Sequence, residues 1–318
     1  MGPDRGSSFR LWFFLAALLS LLPDSKAWAM KEGGFSRELE RIGELIFQNE
    51  CSGNDKALLT WNEGEQFPSL GIGHFIWYPR GYEGPFDESF PKLLLFMEER
   101  GVVLPEWFEA LPERDAPWKT RADFLKDRES GAMDFLKVFL KETKQEQVEF
   151  LVERFRRSVP LIYLAASPDS RAGVQRKLYL MLRTRGGLYP LVDYVNFNGE
   201  GILESERYQG QGWGLLQVLE EMQEPLRGSE AVIEFVRAAE TILERRIAHA
   251  PLERNEARWL PGWKARVRTY LGIEDPAWSS GACVLRGSLL SGLGDPSPIS
   301  EGPALPLEEA LVSPALLQ

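Results

Sequence analysis

Cysteine and histidine are nearly missing from this chain, with two of each in 318 residues. Cys51 and Cys283 stand far apart in sequence, as do His74 and His249, so no cluster has zinc-ligand spacing, and neither a metal nor another cofactor is expected. Positive charge is also scarce: 37 Lys and Arg face 47 Asp and Glu, for a formal charge of -10. That balance excludes general nucleic-acid binding, which depends on neutralising phosphates, and weighs against passive adhesion to anionic wall polymers. Long apolar runs are lacking too. The longest, Leu11 to Leu22, falls short of the about 20 residues a transmembrane helix needs, so no span is expected in the mature chain.

What that run does fit is an export signal. Arg5 and Arg10 precede it and Ala27-Trp28-Ala29 offers a small-x-small cleavage site, so residues 1–29 read as a secretory signal peptide. An uncleaved anchor is the alternative. The expected location is periplasmic or extracellular, with a mature chain beginning near Met30. Hydrophobic residues make up 44% of the chain, ample for a core, and one domain is expected over 30–278. Beyond it, 279–318 is rich in Pro, Gly, Ser and Leu without sustained periodicity and reads as a flexible tail. Export permits disulfides, so Cys51 is either a buried thiol or bridged to Cys283 in that tail.

The densest signal lies between residues 36 and 78. Leu39, Ile42, Leu45 and Ile46 share one face at helical spacing, with Ser36 available as N-cap, and the helix is expected to close at Glu50. Gly53 and Asn54 turn the chain. Ala57 to Trp61 and Phe67 to His74 then read as two strands around a Glu-Gly-Glu turn, facing Glu50 with a hairpin. A carboxyl at the end of an apolar helix, beside Cys51 and aromatic side chains, loses solvent. Its pKa is therefore expected to rise, which suits an acid working near neutral pH.

Farther along, Ala122 to Arg185 has helical spacing throughout, with breaks expected at Ser158-Val159-Pro160 and Ser167-Pro168. Leu188 to Phe197 is apolar nearly all round apart from Asp193 and reads as a helix buried at the centre. Asn196, Asn198 and Glu200 cluster at its end. The following stretch carries Tyr208, Gln209, Gln211 and Trp213 between glycines, and Gln217 opens the next helix. Rings beside amides suit an acetamido sugar, which has apolar faces and polar edges. Helices are expected again over 231–249 and 262–271, with His249 as a C-terminal partner of the first.

The order Glu50, Trp61, then Ser69-Leu-Gly-Ile-Gly-His74 resembles the signature of phage-type lysozymes, in which a catalytic Glu ends a helix and a Thr-x-Gly-x-Gly-His segment follows. Leu191 to Gly201 is similar to the buried helix and glycine turn of the same family. The resemblance is clear over 36–78 and loose over 188–222. It implies a lysozyme-like α+β fold, predominantly α-helical, with a small β-hairpin after the first helix and a large helical body. It also implies cleavage of peptidoglycan between N-acetylmuramic acid and N-acetylglucosamine, with Glu50 as general acid and His74 bracing the hairpin. The family's second carboxylate falls at Asn62 or Glu63, and its Thr is Ser69 here.

Three functions follow. The first is an exported peptidoglycan-cleaving hydrolase with Glu50, Glu63 and Ser69 as catalytic residues. Its substrate-binding set would be Trp61, Tyr78, Asn198, Glu200, Tyr208, Gln209, Gln211, Trp213 and Gln217. The second is a lytic transglycosylase working with Glu50 alone, and Gly214-Leu-Leu-Gln217 is faintly similar to an element of those enzymes. The third is an inactive lysozyme-like module that binds glycan or a partner.

Overall fold

The stripe of Leu39, Ile42 and Ile46 is buried in a helix, α1, running Glu32–Cys51. A computed structural model of the chain describes residues 32–272 except 85, 110, 112–113 and 225–229. The signal-peptide and tail assignments, and Cys283, lie outside those residues. α1 starts a turn before Ser36, which is therefore inside the helix rather than its cap: apolar spacing defines the buried face of a helix but not where its first turn forms. Ser52 (φ 50°) and Gly53 (φ 67°) then swing the backbone away.

Strands β1 (Leu59–Thr60), β2 (Ser69–Leu70) and β3 (Phe75–Ile76) make an antiparallel sheet in that order, pairing Leu59 with Leu70, Thr60 with Ser69, Ser69 with Ile76 and Leu70 with Phe75. The expected second strand thus ends at Leu70. Gly71 to His74 is a tight turn into a third strand, with φ of 71° at Gly71 and 47° at His74. Gln147 fixes that turn from a helix behind it. Its Oε1 accepts the Ile72 N–H at 2.8 Å, and its Nε2 donates to the Leu140 carbonyl at 2.7 Å. A side chain at Gly71 would meet Gln147 Oε1 at 2.3 Å, so only glycine fits there.

The helical body begins with α2 (Phe90–Glu99), α3 (Glu106–Glu109), α4 (Arg121–Asp127) and α5 (Gly131–Glu142). α6 (Lys144–Ala165) passes straight through Pro160, correcting the expected break. Proline removes one ladder hydrogen bond, and the helix continues on the apolar face of Val152, Phe155, Val159 and Ile162. Ser167 does cap α7 (Pro168–Arg183), accepting the Ser170 N–H, with Pro168 in the first turn. α8 (Leu188–Asn198) is central, and most of its side chains are buried. β4 (Arg207–Tyr208) and β5 (Gln211–Gly212) form a hairpin turning at Gln209 and Gly210, both at positive φ. α9 (Leu215–Glu221), α10 (Glu230–His249) and α11 (Leu260–Arg268) follow.

One apolar core runs from Leu39 through α6, α8 and α10 to Tyr270. With 65% of the described residues in helix and 5% in strand, the architecture is α+β and predominantly α. Among the described residues no helix is long and apolar enough to cross a membrane, and no group of His, Cys, Asp and Glu could hold a metal ion.

Candidate active site

Glu50 sits in the last turn of α1 with its side chain 13% exposed, and three other parts of the fold close on it. From α11, Arg266 donates Nη2 to Glu50 Oε1 at 2.6 Å. From α8, Asn196 donates Nδ2 to the same oxygen at 3.3 Å and to the Gly73 carbonyl at 3.3 Å, joining helix, carboxyl and turn. From the β2–β3 turn, His74 brings Nδ1 to 3.5 Å from Glu50 Oε2.

Behind this layer lies a second. Asp193, fully buried, takes Arg266 Nε at 3.0 Å and Nη2 at 2.8 Å, and the Tyr270 hydroxyl at 2.6 Å. Arg266 also lies over the Phe197 ring, 4.4 Å from its centroid. A lone charged residue in an otherwise apolar helix is thereby explained: Asp193 orients Arg266.

The pKa of Glu50 corrects the expected rise. Burial does push it upward and is the largest single influence. The charges of Arg266 and His74, with the hydrogen bonds of Arg266 and Asn196, together outweigh burial and hold the carboxyl below its ordinary value. In the resting site Glu50 is ionised. Cys51, next in the chain and 2% exposed, is 3.9 Å from the Gly71 carbonyl and 3.8 Å from His74 Nε2. Burial and the nearby Glu50 charge push its thiol up to about 12, so it is not a nucleophile.

The hairpin residues separate into inner and outer groups. Asn62 and Glu63 are exposed, whereas Glu65 is half-buried and accepts Asn62 Nδ2 at 3.1 Å. Trp61 is buried against Phe124, with its indole N–H donated to the Glu65 carbonyl at 2.8 Å. Ser69 is buried on the middle strand, on the face opposite Leu70. Tyr78 is buried, its hydroxyl bonded to the Phe86 carbonyl and N–H, so its polar end serves a loop.

The downstream residues gather around Arg246, whose guanidinium lies 4.3 Å from the Trp213 ring and 4.6 Å from Trp263. It reaches Glu256 at 2.8 Å through Nε and Asn198 Oδ1 at 3.1 Å through Nη1. Tyr208 packs on Trp213 and donates its hydroxyl to Glu256. Gln217 is spent inside the turn, its Oε1 accepting the Gly214 N–H and its Nε2 donating to the Gly201 carbonyl. Gln209 and Gln211 are exposed. Glu200 is 3.7 Å from Arg154, and its carboxyl is pushed up by burial, which the Arg154 charge only partly offsets.

Of the residues singled out from sequence, Glu50 and His74 are thus in direct contact. Asn198, Tyr208 and Trp213 form a separate cluster about Arg246. Arg266, Arg246 and Glu256 escaped notice, since isolated charged residues on amphipathic helices and loops have no spacing signature, and so did the single ring of Tyr270. Compared with known proteins, the chain matches no family model, no curated protein and no solved structure.

Proposed function

We propose that the chain is an exported glycosidase with a lysozyme-like fold that cleaves peptidoglycan, with Glu50 as its essential carboxyl. The observation that carries this reading is the junction made by Asn196. Its amide bridges Glu50 and Gly73, uniting the two stretches whose sequences resemble the lysozyme signature. Convergence of a partly buried carboxylate, a histidine and an amide from three distant segments is the pattern expected of a site rather than of core packing.

In such a reaction one carboxylic acid protonates the leaving glycosidic oxygen while a second group on the opposite face activates water or attacks carbon. Glu50 needs a proton for the first role, and Arg266 opposes that in the resting state. Arg266 has a second carboxylate in Asp193, however, to which its Nε is bonded independently of the Nη2 that serves Glu50. Displacement of Arg266 by bound glycan would remove two of the influences that oppose burial at Glu50, leaving the charge of His74 and the hydrogen bond of Asn196. Ser69 is a candidate to hold the water, and Glu63 the hairpin carboxylate read from sequence. Of the residues read from sequence as sugar-binding, Gln209 and Gln211 are exposed and Tyr208 is half-buried, so their hairpin is the part that offers amides and a ring to a sugar, while Trp61, Tyr78, Asn198, Trp213 and Gln217 are committed to packing or to turns and Glu200 pairs with Arg154.

The resting ion pair favours a second reading, an inactive module that binds the same glycan. The deciding experiment is incubation of purified peptidoglycan sacculi with wild type and Glu50→Gln. Release of soluble muropeptides by wild type alone supports the glycosidase. Sedimentation of both proteins with sacculi, with no release, supports the binding module.

A further inference from the structure

His74 adopts a left-handed backbone conformation, φ 47°, which few residues other than glycine take up and which persists where surrounding contacts hold it. Its ring is contacted at both nitrogens. Nδ1 faces Glu50 Oε2 at 3.5 Å, and Nε2 faces the Cys51 sulfur at 3.8 Å. Cys51 is a free thiol that follows Glu50 as the last residue of α1, so the end of one helix supplies both contacts. A neutral imidazole carries one proton, and the partners of its two nitrogens decide where that proton sits. Glu50 is ionised in the resting site, so a bare Nδ1 would set a lone pair against a carboxylate. The proton belongs on Nδ1, and Nε2 is left needing a donor. Among the described residues the Cys51 thiol is the group that reaches it. The sulfur also lies 3.9 Å from the Gly71 carbonyl, but that oxygen already accepts the His74 N–H at 3.3 Å, which leaves the S–H for the ring. Cys51 is 2% exposed, so water does not compete for its proton, and burial with the nearby Glu50 charge keeps the thiol from ionising.

We propose that Cys51 is a positioning residue for Glu50: its thiol donates to His74 Nε2 and fixes the ring in the tautomer whose Nδ1–H faces the carboxylate. A thiol is a weak donor. The two tautomers of an imidazole differ little in intrinsic energy, however, so a weak bond without a competitor weighs on the choice between them. In the reverse arrangement of the neutral ring, Nε2–H is donated to sulfur and S–H to the Gly71 carbonyl. The Nδ1 lone pair then turns toward Glu50 and loosens the hold of the β2–β3 turn on the carboxyl. Cys51 thus acts on Glu50 through the ring and touches no substrate. The tautomer lock stands on these contacts, and its link to catalysis rests on the glycosidase reading above.

The chain has two histidines, so imidazole ¹⁵N spectra of the purified protein are simple, and His249→Gln assigns the signals of His74. At the alkaline end of a titration, wild type is expected to show His74 with its proton on Nδ1. Cys51→Ala is expected to shift the population toward the Nε2–H form, and Cys51→Ser, which keeps a donor, to restore Nδ1–H. In Cys283→Ser protein the one remaining thiol is Cys51. Its infrared S–H stretch is expected to lie below that of a free thiol and to rise when His74→Phe is added. A wild-type ring protonated at Nε2, a Cys51→Ala spectrum identical to wild type, or an S–H stretch indifferent to His74→Phe overturns the lock. The wild-type spectrum needs no substitution, so a misfolded variant cannot hide the answer. Muropeptide release from sacculi is expected to fall in Cys51→Ala and to recover in Cys51→Ser. Equal release by all three, with the tautomer shifted, overturns the positioning role. An inert wild type overturns the glycosidase reading, while the spectra still decide the lock.

Discussion

Arg266 meets Glu50 across 216 residues of sequence, through a nitrogen that also lies 2.8 Å from Asp193. One buried cation is thus shared by two carboxylates, one fully buried in α8 and one facing the candidate site. Buried charges lose much hydration energy, and an unpaired one is costly, so the three groups stand or fall together.

Removing the cation should therefore be the most damaging change in this layer. Arg266→Ala leaves Asp193 and Glu50 without their shared partner and is expected to cost about 3–5 kcal/mol of stability. Glu50→Gln should cost far less, since Arg266 keeps both of its bonds to Asp193. Urea unfolding of the two variants checks the order. Equal losses would mean that Asp193 is not the principal anchor.

The acid side of the stability curve carries the signature of Glu50. Its native pKa lies below its unfolded value near 4.5, so the native state favours the ionised form. This stabilisation is complete above about pH 4.5 and is lost as pH falls through the native pKa. Stability measured from pH 6 downward should thus fall less steeply in Glu50→Gln than in wild type. Glu200 works with the opposite sign. Burial raises its native pKa, so its ionisation costs stability that is recovered as pH falls through that value. Glu200→Gln should accordingly stabilise the protein at neutral pH relative to its effect near pH 4.

Much of this arrangement was legible in the residues, and the remainder had physical reasons to be hidden. α1 and α8 were readable because burial imposes a helical repeat on Leu39, Ile42 and Ile46 and an almost wholly apolar stretch on 188–197. Asp193 stood out within that stretch, but its partner did not. Arg266 is one of two arginines in the last turn of α11, and only docking of that helix on α8 selects it. The same gap reversed the expected pKa of Glu50: burial could be inferred locally, while the opposing cation comes from the far end of the domain. The third strand was hidden because Gly-Ile-Gly-His is compatible with either strand or turn. Gln147, more than seventy residues away, decides in favour of the turn.

That dependence predicts a stability and activity phenotype remote from any carboxylate. Gly71→Ala places a side chain against Gln147 Oε1 at a φ of 71°, and such backbone strain costs about 1–3 kcal/mol. The turn that carries Gly73 and His74 should shift with it. If Glu50 is positioned through that turn, muropeptide release should fall by more than the loss of folded protein explains, as measured well below the melting temperature. Unchanged specific activity would free Glu50 from dependence on the turn.

The chemistry of the new glycan end distinguishes water from an internal nucleophile. If a hairpin carboxylate activates water, digestion must leave reducing muramic ends that are one water heavier than the anhydro form. If Glu50 works alone, the sugar's own hydroxyl closes on the anomeric carbon and anhydro ends result. Mass spectrometry of the muropeptides released by wild type should therefore find reducing ends. Exclusively anhydro products from wild type would make the reaction a lytic transglycosylation by Glu50.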